Sequence, residues 1–329
     1  MTDIPTIPQI PELLKSKAKQ GKLVLFIGAG VSKLVGYPSW SELACKYLNI
    51  LWEHSKKTRI PGEKIINYYE YEQLKKQDPR KLLSICYELF EKNKNIITKP
   101  KLKDLCKPAE KPISTNHIYD YLRDFNAIYL TTNYDDCLAK AVPTGMAEVK
   151  RDSEDKSVSK DAPKLKEIYS KEDLLISKLQ QGHIIYLHGK AEEESEAIVT
   201  ISDYLKHYQK DSSPAVLLEQ LFAGNFSVLF VGYGVEEYEI LEFIVSRSKN
   251  PPKEIFNFML YPACQQEQQL LRFFDAYYEK LGIRIVPYSI DGSGYDQLEV
   301  VLHEWSKEFN LISRPQLYLD RLNIIDEVA

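Results

Sequence analysis

Three short stretches of the 329-residue chain bring together residue types that carry chemistry. The first, "KLVLFIGAGVSK" from Lys22 to Lys33, runs an apolar segment into Gly28, Ala29, Gly30 and Ser32. Glycines at a strand end reach backbone angles closed to other residues. A helix opening behind them offers N–H groups and the positive end of its dipole to an anion such as a pyrophosphate. A purely structural turn also fits, because Lys33 stands where the third glycine of G-x-G-x-x-G belongs. The second stretch, "YLTTNYDDCL", ends an apolar run in Thr131, Thr132, Asn133, Tyr134, Asp135 and Asp136. Amide, hydroxyl and carboxylate groups collect there, where open α/β sheets bind ligands outside the carboxyl ends of their strands. Asn133 and Asp135 equally suit the capping of "DDCLAKAV". The third, "IIYLHGKAE", sets His188 after four apolar residues and directly before Gly189. An imidazole titrating near neutral pH at a strand end is suited to proton transfer. His54, His117, His183, His207 and His303 lack such a setting and read as structural.

Strands must hold these groups in place. Six β-rich runs are bounded by turn residues: "LVLFIG", "AIYLTT", "HIIYLHG", "SVLFVGYG", "IFNFMLY" and "IRIVPYS". Several are apolar almost throughout, as expected of strands covered on both faces. Helical patterns separate most of them. "SVLFVGYGVEEYEILEFIV" goes strand, turn, helix; "CQQEQQLLRFFDAYYEKLG" is a helix ending at Gly282; and "YDQLEVVLHEWSKEF" closes the series. The alternation predicts an α/β fold with a doubly wound, mainly parallel, six-stranded Rossmann-like sheet. Nearly a hundred residues lie between the first two runs, and they read as helices. Ser39 and Glu42 have capping-box spacing, while Asp78 and Pro79 suit the N-cap and first position of another helix. A helical module inserted at about 39–125 is expected above the strand ends, where it could cover a ligand. The expected divisions are a lead-in and helix at 1–22, a nucleotide-binding domain at 23–310 and a tail at 311–329. "EVKRDSEDKSVSKDAPKLKEIYSKED" is charge-dense and reads as a solvated loop with room for one edge strand.

Composition narrows the function classes. A net charge of −4 gives no electrostatic case for nucleic acid or an anionic membrane. No apolar run approaches the roughly 20 residues of a membrane span, and the N-terminus lacks a signal-peptide pattern. The five cysteines are scattered without a C-x-x-C pair, which speaks against a disulfide framework or a Cys₄ zinc site and for a reducing cytoplasm.

In this order, "FIGAGVS", "TTNYDD", "LHG" and "FVGYG" resemble the sirtuin-type (SIR2) NAD-binding fold. The family's marks are a GAG-[IV]-S turn, a T-x-N-x-D segment and an H-G dipeptide. With "GYPSW" and "FVGYGVEEYEI", the chain looks most like the SIR2-like domains of bacterial anti-phage defence proteins, which hydrolyse NAD rather than deacylate proteins. The paired C-x-x-C zinc module of the deacylases is missing, so no zinc is expected. Their P-D-F-R segment is replaced by Pro38-Ser39-Trp40-Ser41. The resemblance implies an NAD+ glycohydrolase that releases nicotinamide and ADP-ribose, with NAD+ as substrate. Gly28, Ala29, Gly30, Ser32 and Thr132 would hold the pyrophosphate and adjoining ribose, and Gly232 and Gly234 the adenosine half. Asn133 would position water or ribose, Asp135 would hold the nicotinamide amide, and His188 would be the general base. It also implies a cytoplasmic homo-oligomer, such as a tetramer, held inactive until a sensing or ATPase subunit or a phage protein triggers it. Two alternatives stay open: a non-catalytic sensor of NAD or an ADP-ribose derivative, and an NAD-dependent protein deacylase.

Overall fold

A computed structural model describes residues 3–60, 62–108, 116–141, 165–168, 174–176, 179–223, 225–234, 243–244 and 256–313. The chain begins with α1 (Glu12–Lys19), β1 (Leu23–Ile27) and α2 (Ala29–Leu34). Then come α3 (Trp40–Lys57), α4 (Tyr68–Leu74), α5 (Pro79–Lys92), α6 (Leu102–Leu105) and α7 (Ile118–Asp124). The middle of the chain supplies β2 (Ile128–Thr131), α8 (Cys137–Lys140), β3 (Lys166–Ile168), β4 (His183–Tyr186), α9 (Ile201–His207) and α10 (Ser213–Leu221). Last are β5 (Ser227–Val231), β6 (Asn257–Ala263), α11 (Gln268–Lys280), β7 (Ile283–Ser289) and α12 (Gln297–Ser313).

The near-continuous apolar character of the strand runs has a direct structural cause. Alternate residues of each strand face opposite layers, and helices cover both. Leu23, Leu25 and Ile27 of β1 join a core with Leu122 of α7 and Trp305 and Phe309 of α12. Val24 and Phe26 join the opposite core with Leu217, Leu218 and Leu221 of α10. Every strand pairing is parallel. The sheet order is β3-β4-β2-β1-β5-β6-β7.

All six predicted strands form, and among the described residues the sheet has a seventh, the edge strand that the charge-dense stretch allowed. The additional strand, β3, lies inside the charge-dense stretch and pairs only with β4 at the sheet edge. Of its three residues only Ile168 is buried, so an edge strand of this kind carries almost no apolar pattern. The helical half of "SVLFVGYGVEEYEILEFIV" lies outside the described residues except for Phe243 and Ile244.

The insert is helical as predicted. Ser39 and Glu42 form a reciprocal capping box at the start of α3, and the Asp78 carboxylate caps α5 ahead of Pro79. Leu43, Tyr47, Leu48 and Leu51 of α3 pack on Leu82, Leu83, Cys86 and Phe90 of α5. The same core takes in Tyr134, Ala191 and Val199 from the loops after β2 and β4, so α3–α6 sit on the carboxyl end of the sheet. α7 departs from that module and packs in the sheet's own helical layer. The proline-rich lead-in docks on the C-terminal elements, where the Trp305 indole donates to the Pro8 carbonyl at 2.8 Å. Among the described residues, no helix is long and apolar enough to cross a membrane.

Candidate functional site

The sheet order reverses at β1, which lies between β2 and β5. The crevice at such a switch point is where open α/β sheets bind ligands. The turns that end these strands interlock there. The Gly28 N–H donates to the Val231 carbonyl at 2.9 Å, and the Gly30 N–H to the Gly232 carbonyl at 2.8 Å. A side chain at residue 28 would bring a Cβ within 2.5 Å of the Gly232 carbonyl oxygen. At Gly232 itself φ is +58°, and a Cβ would meet the Val31 nitrogen at 2.7 Å. These glycines are therefore required by backbone packed on backbone. The two N–H groups expected to face a pyrophosphate are instead bonded to the end of β5 and the turn that follows it. Ala29 still lines the adjoining cavity. Gly234 is exposed beyond the interlock, and its carbonyl accepts from the Tyr278 hydroxyl at 3.4 Å.

The segment after β2 closes against this turn. Thr131 donates its hydroxyl to the Ile27 carbonyl at 2.9 Å and accepts the Asn133 N–H at 3.0 Å, so the bend after β2 is tied to the end of β1. The Asn133 side-chain NH₂ donates to the Gly28 carbonyl at 3.0 Å and to Ser32 Oγ at 2.7 Å. Ser32 in turn donates to Asp135 at 2.6 Å. The other Asp135 oxygen accepts from the Tyr119 hydroxyl and from the Cys137 N–H, each at 3.1 Å. Asp135, one residue before the Asp136 N-cap, thus also receives the first N–H of α8. Ser32, Thr132, Asn133 and Asp135 are all buried.

These residues line a cavity of about 40 Å³ together with Ala29, Tyr37, Pro38, Trp40, Leu43, Cys106 and Tyr134. Trp40 meets Tyr134 edge-on with ring centroids 5.5 Å apart, so "GYPSW" supplies an aromatic wall. Burial pushes the Cys106 thiol up to about 12. Burial first, and then the Asp135 charge, do the same to the Cys137 thiol. Both thiols are thereby biased toward the protonated, poorly nucleophilic form. The space is large enough for a few water molecules. Ligand pockets more often measure roughly 300–1,000 Å³.

His188 lies behind the cavity wall and does not line it. It is fully buried, with Nε2 2.8 Å from the Tyr208 hydroxyl and Nδ1 3.2 Å from the Tyr204 hydroxyl. Burial, then His207 and Arg80, hold its pKa well below the ordinary imidazole value, while a hydrogen bond to the Thr132 backbone acts in the other direction. Thr132 is a cavity residue, so one residue separates the ring from the cavity. Gly189, the other half of the H-G pair, has φ +72° and would place a Cβ 2.8 Å from the Glu196 carbonyl oxygen. Its conformation is what lets the chain turn sharply behind the histidine.

The structure gathers Ala29, Ser32, Thr132, Asn133 and Asp135 around one space, with the Gly28 carbonyl bonded into it. Sequence reading missed Tyr119, Tyr204 and Tyr208. Tyr119 lies in α7, remote in sequence from both motifs. Tyr204 and Tyr208 stand at i,i+4 spacing on and just beyond α9, a signal that ordinary packing also produces. Residues 127–286, from the start of β2 into β7, match the SIR2-like domain family.

The chain carries a SIR2-like domain.

The similarity extends beyond that range. The chain is 27% identical over 308 residues to Defense-associated sirtuin 2 of Bacillus subtilis, an alignment covering 91% of this chain and 26% of that protein. It therefore spans about a quarter of the length of that curated relative. Within the SIR2-like domain, no group of three or more metal-binding side chains stands close enough to hold an ion among the described residues.

Proposed function

We propose that the cavity binds NAD+ and that the chain hydrolyses its nicotinamide–ribose bond. The observation that carries this reading is the joining of the glycine turn to the T-x-N-x-D segment by the Asn133 amide, at the wall of one cavity. Both amide hydrogens are engaged, so Asn133 turns its oxygen to the cavity. That acceptor can orient a ribose hydroxyl or the attacking water. Nicotinamide leaves as a neutral pyridine, taking the electron pair of the broken C–N bond onto its ring nitrogen, so no acid need protonate it. Water adds to the oxocarbenium-like ribose carbon and gives up a proton. The products are nicotinamide, ADP-ribose and H⁺. Orientation of these parts supplies much of the rate, and His188 is the proton acceptor.

The small cavity and the buried His188 describe a resting form. Turnover then requires the Tyr204–Tyr208 side to release the imidazole toward Thr132 and the space to widen for a dinucleotide. A trigger, whether a sensing or ATPase subunit or a phage protein, would shift that equilibrium. The name of the B. subtilis relative, Defense-associated sirtuin 2, supports a role in defence; our reading is that this role is cytoplasmic anti-phage defence by depletion of NAD+, within a homo-oligomer.

The test is an NAD+ assay on the protein alone and with its genomic neighbour. Nicotinamide and ADP-ribose should appear in equal amounts, and His188→Ala should reduce release by about 10²–10⁴-fold with the fold intact. NAD+ binding by calorimetry with no nicotinamide released in either arm would replace hydrolysis by sensing.

A further inference from the structure

We infer that Asp135, Ser32 and Tyr119 are positioning residues that fix which end of the Asn133 amide faces the cavity. The inference rests on the proposed reaction only for its kinetic consequence, since the hydrogen-bond logic stands on the geometry. An asparagine amide can sit in either of two orientations of nearly equal shape, exchanging its oxygen and NH₂. Here its neighbours distinguish them. The Gly28 carbonyl is an acceptor and nothing else, and it lies 3.0 Å from the amide nitrogen. Ser32 Oγ lies 2.7 Å from the same nitrogen, and a hydroxyl would ordinarily accommodate either orientation. Asp135 removes that freedom. It takes the Ser32 proton at 2.6 Å, so Ser32 has only a lone pair to offer Asn133. The Tyr119 hydroxyl, which also stands 3.1 Å from Ser32 Oγ, and the Cys137 N–H reach the second carboxylate oxygen at 3.1 Å each, which holds Asp135 in place.

The amide therefore faces two acceptors on its buried side and must direct both N–H bonds at them. Its oxygen is left for the cavity. A flipped amide would set oxygen against oxygen at both contacts and present a donor to the ligand. For a site that must accept a hydrogen bond from water or a ribose hydroxyl, that is the wrong polarity. Asp135, a buried carboxylate with both oxygens engaged inside the protein, acts on the reaction through Asn133.

Two readouts test this. In protein labelled with ¹⁵N-asparagine, the Asn133 side-chain NH₂ should give two distinct resonances protected from solvent exchange, assigned by their loss in Asn133→Ser. Asp135→Asn, which returns a donor to the Ser32 contact, should lower that protection at least tenfold, and Tyr119→Phe should lower it less. Unchanged protection in Asp135→Asn overturns the inference whether or not NAD+ is hydrolysed. The kinetic arm compares backgrounds. Asp135→Asn should lower kcat for nicotinamide release about 10–100-fold with KM within about threefold, and should change the residual rate of Asn133→Ser by less than threefold, because residues acting as a unit are non-additive. An equal loss in both backgrounds, or a loss expressed in KM, means that Asp135 touches the substrate directly and refutes the positioning role. Absence of nicotinamide from every form of the protein would remove the hydrolase reading, while the resonance measurement still decides the orientation.

Discussion

Replacing Tyr208 by phenylalanine tests the resting-state reading at the contact that defines it. In the structure the Tyr208 hydroxyl stands 2.8 Å from His188 Nε2, and the imidazole is fully buried. Tyr208→Phe keeps the ring, including its packing against Phe243 at 6.1 Å, and removes only the hydroxyl. A buried hydrogen bond contributes about 0.5–1.5 kcal/mol net, and leaving a buried partner unsatisfied costs about 1–3 kcal/mol. In an opened form, where the ring nitrogen meets water or substrate, that cost is absent. The substitution thus favours the open form by about 1–3 kcal/mol, a factor of roughly 5–150. While the open form is a small minority, the basal rate rises in proportion to its population. The assay is nicotinamide release from NAD+ by purified protein without any trigger, wild type beside Tyr208→Phe and Tyr208→Phe/His188→Ala. The single variant should release nicotinamide about 5–150-fold faster, and the double variant should fall to background. Thermal unfolding measured in parallel should show the single variant folded and modestly less stable. A folded Tyr208→Phe with an unchanged or lower basal rate refutes the idea that this hydroxyl restrains the histidine.

Two further outcomes follow from the interlocked turns and the buried imidazole. Gly28→Ala drives a Cβ to 2.5 Å from the Gly232 carbonyl oxygen and 2.6 Å from Tyr233 Cα, both backbone, so it should cost at least the upper part of the ~1–3 kcal/mol typical of overpacking. Gly292→Ala, whose Cβ meets nothing within 4 Å, is the control, and equal urea midpoints for the two variants would contradict the interlock. The His188 pKa is held below its unfolded value, which is about 6.5, so the unfolded chain gains a proton in a pH range where the folded chain does not. Stability present above about pH 6.5 is therefore lost as pH falls toward the depressed folded value, with a slope of up to about 1.4 kcal/mol per unit. The drop in urea midpoint from pH 7.5 to 5.5 should be smaller in His188→Gln than in wild type; equal drops would show that this imidazole is not the group responsible.

Much of the architecture was legible in the sequence because its signals are local. A strand buried on both faces must be apolar nearly throughout, as several of the six runs are, and all six became parallel strands. Helix starts were equally readable, since a cap is a contact over two or three residues, as at Ser39–Glu42 and Asp78. The seventh strand was legible only as one edge strand somewhere in the charge-dense stretch, because a strand with one buried residue has almost no pattern to place it. The order "FIGAGVS", "TTNYDD", "LHG" also marked which strand ends matter. By itself the sequence determined the fold class, the helical insert and the residue types available at the sheet's carboxyl edge. Only the tertiary structure decided what those residues do to one another. The Gly28 and Gly30 N–H groups go to the end of β5 and the turn after it, about two hundred residues away, rather than outward. His188 stands behind Thr132 because two tyrosines on and after α9 hold its ring. Asn133 owes its orientation to a carboxylate, a hydroxyl and a carbonyl carried by three different segments. Hydrogen-bond direction is set by which donors and acceptors meet in space, and segments separated by a hundred residues leave no periodicity that would announce the meeting.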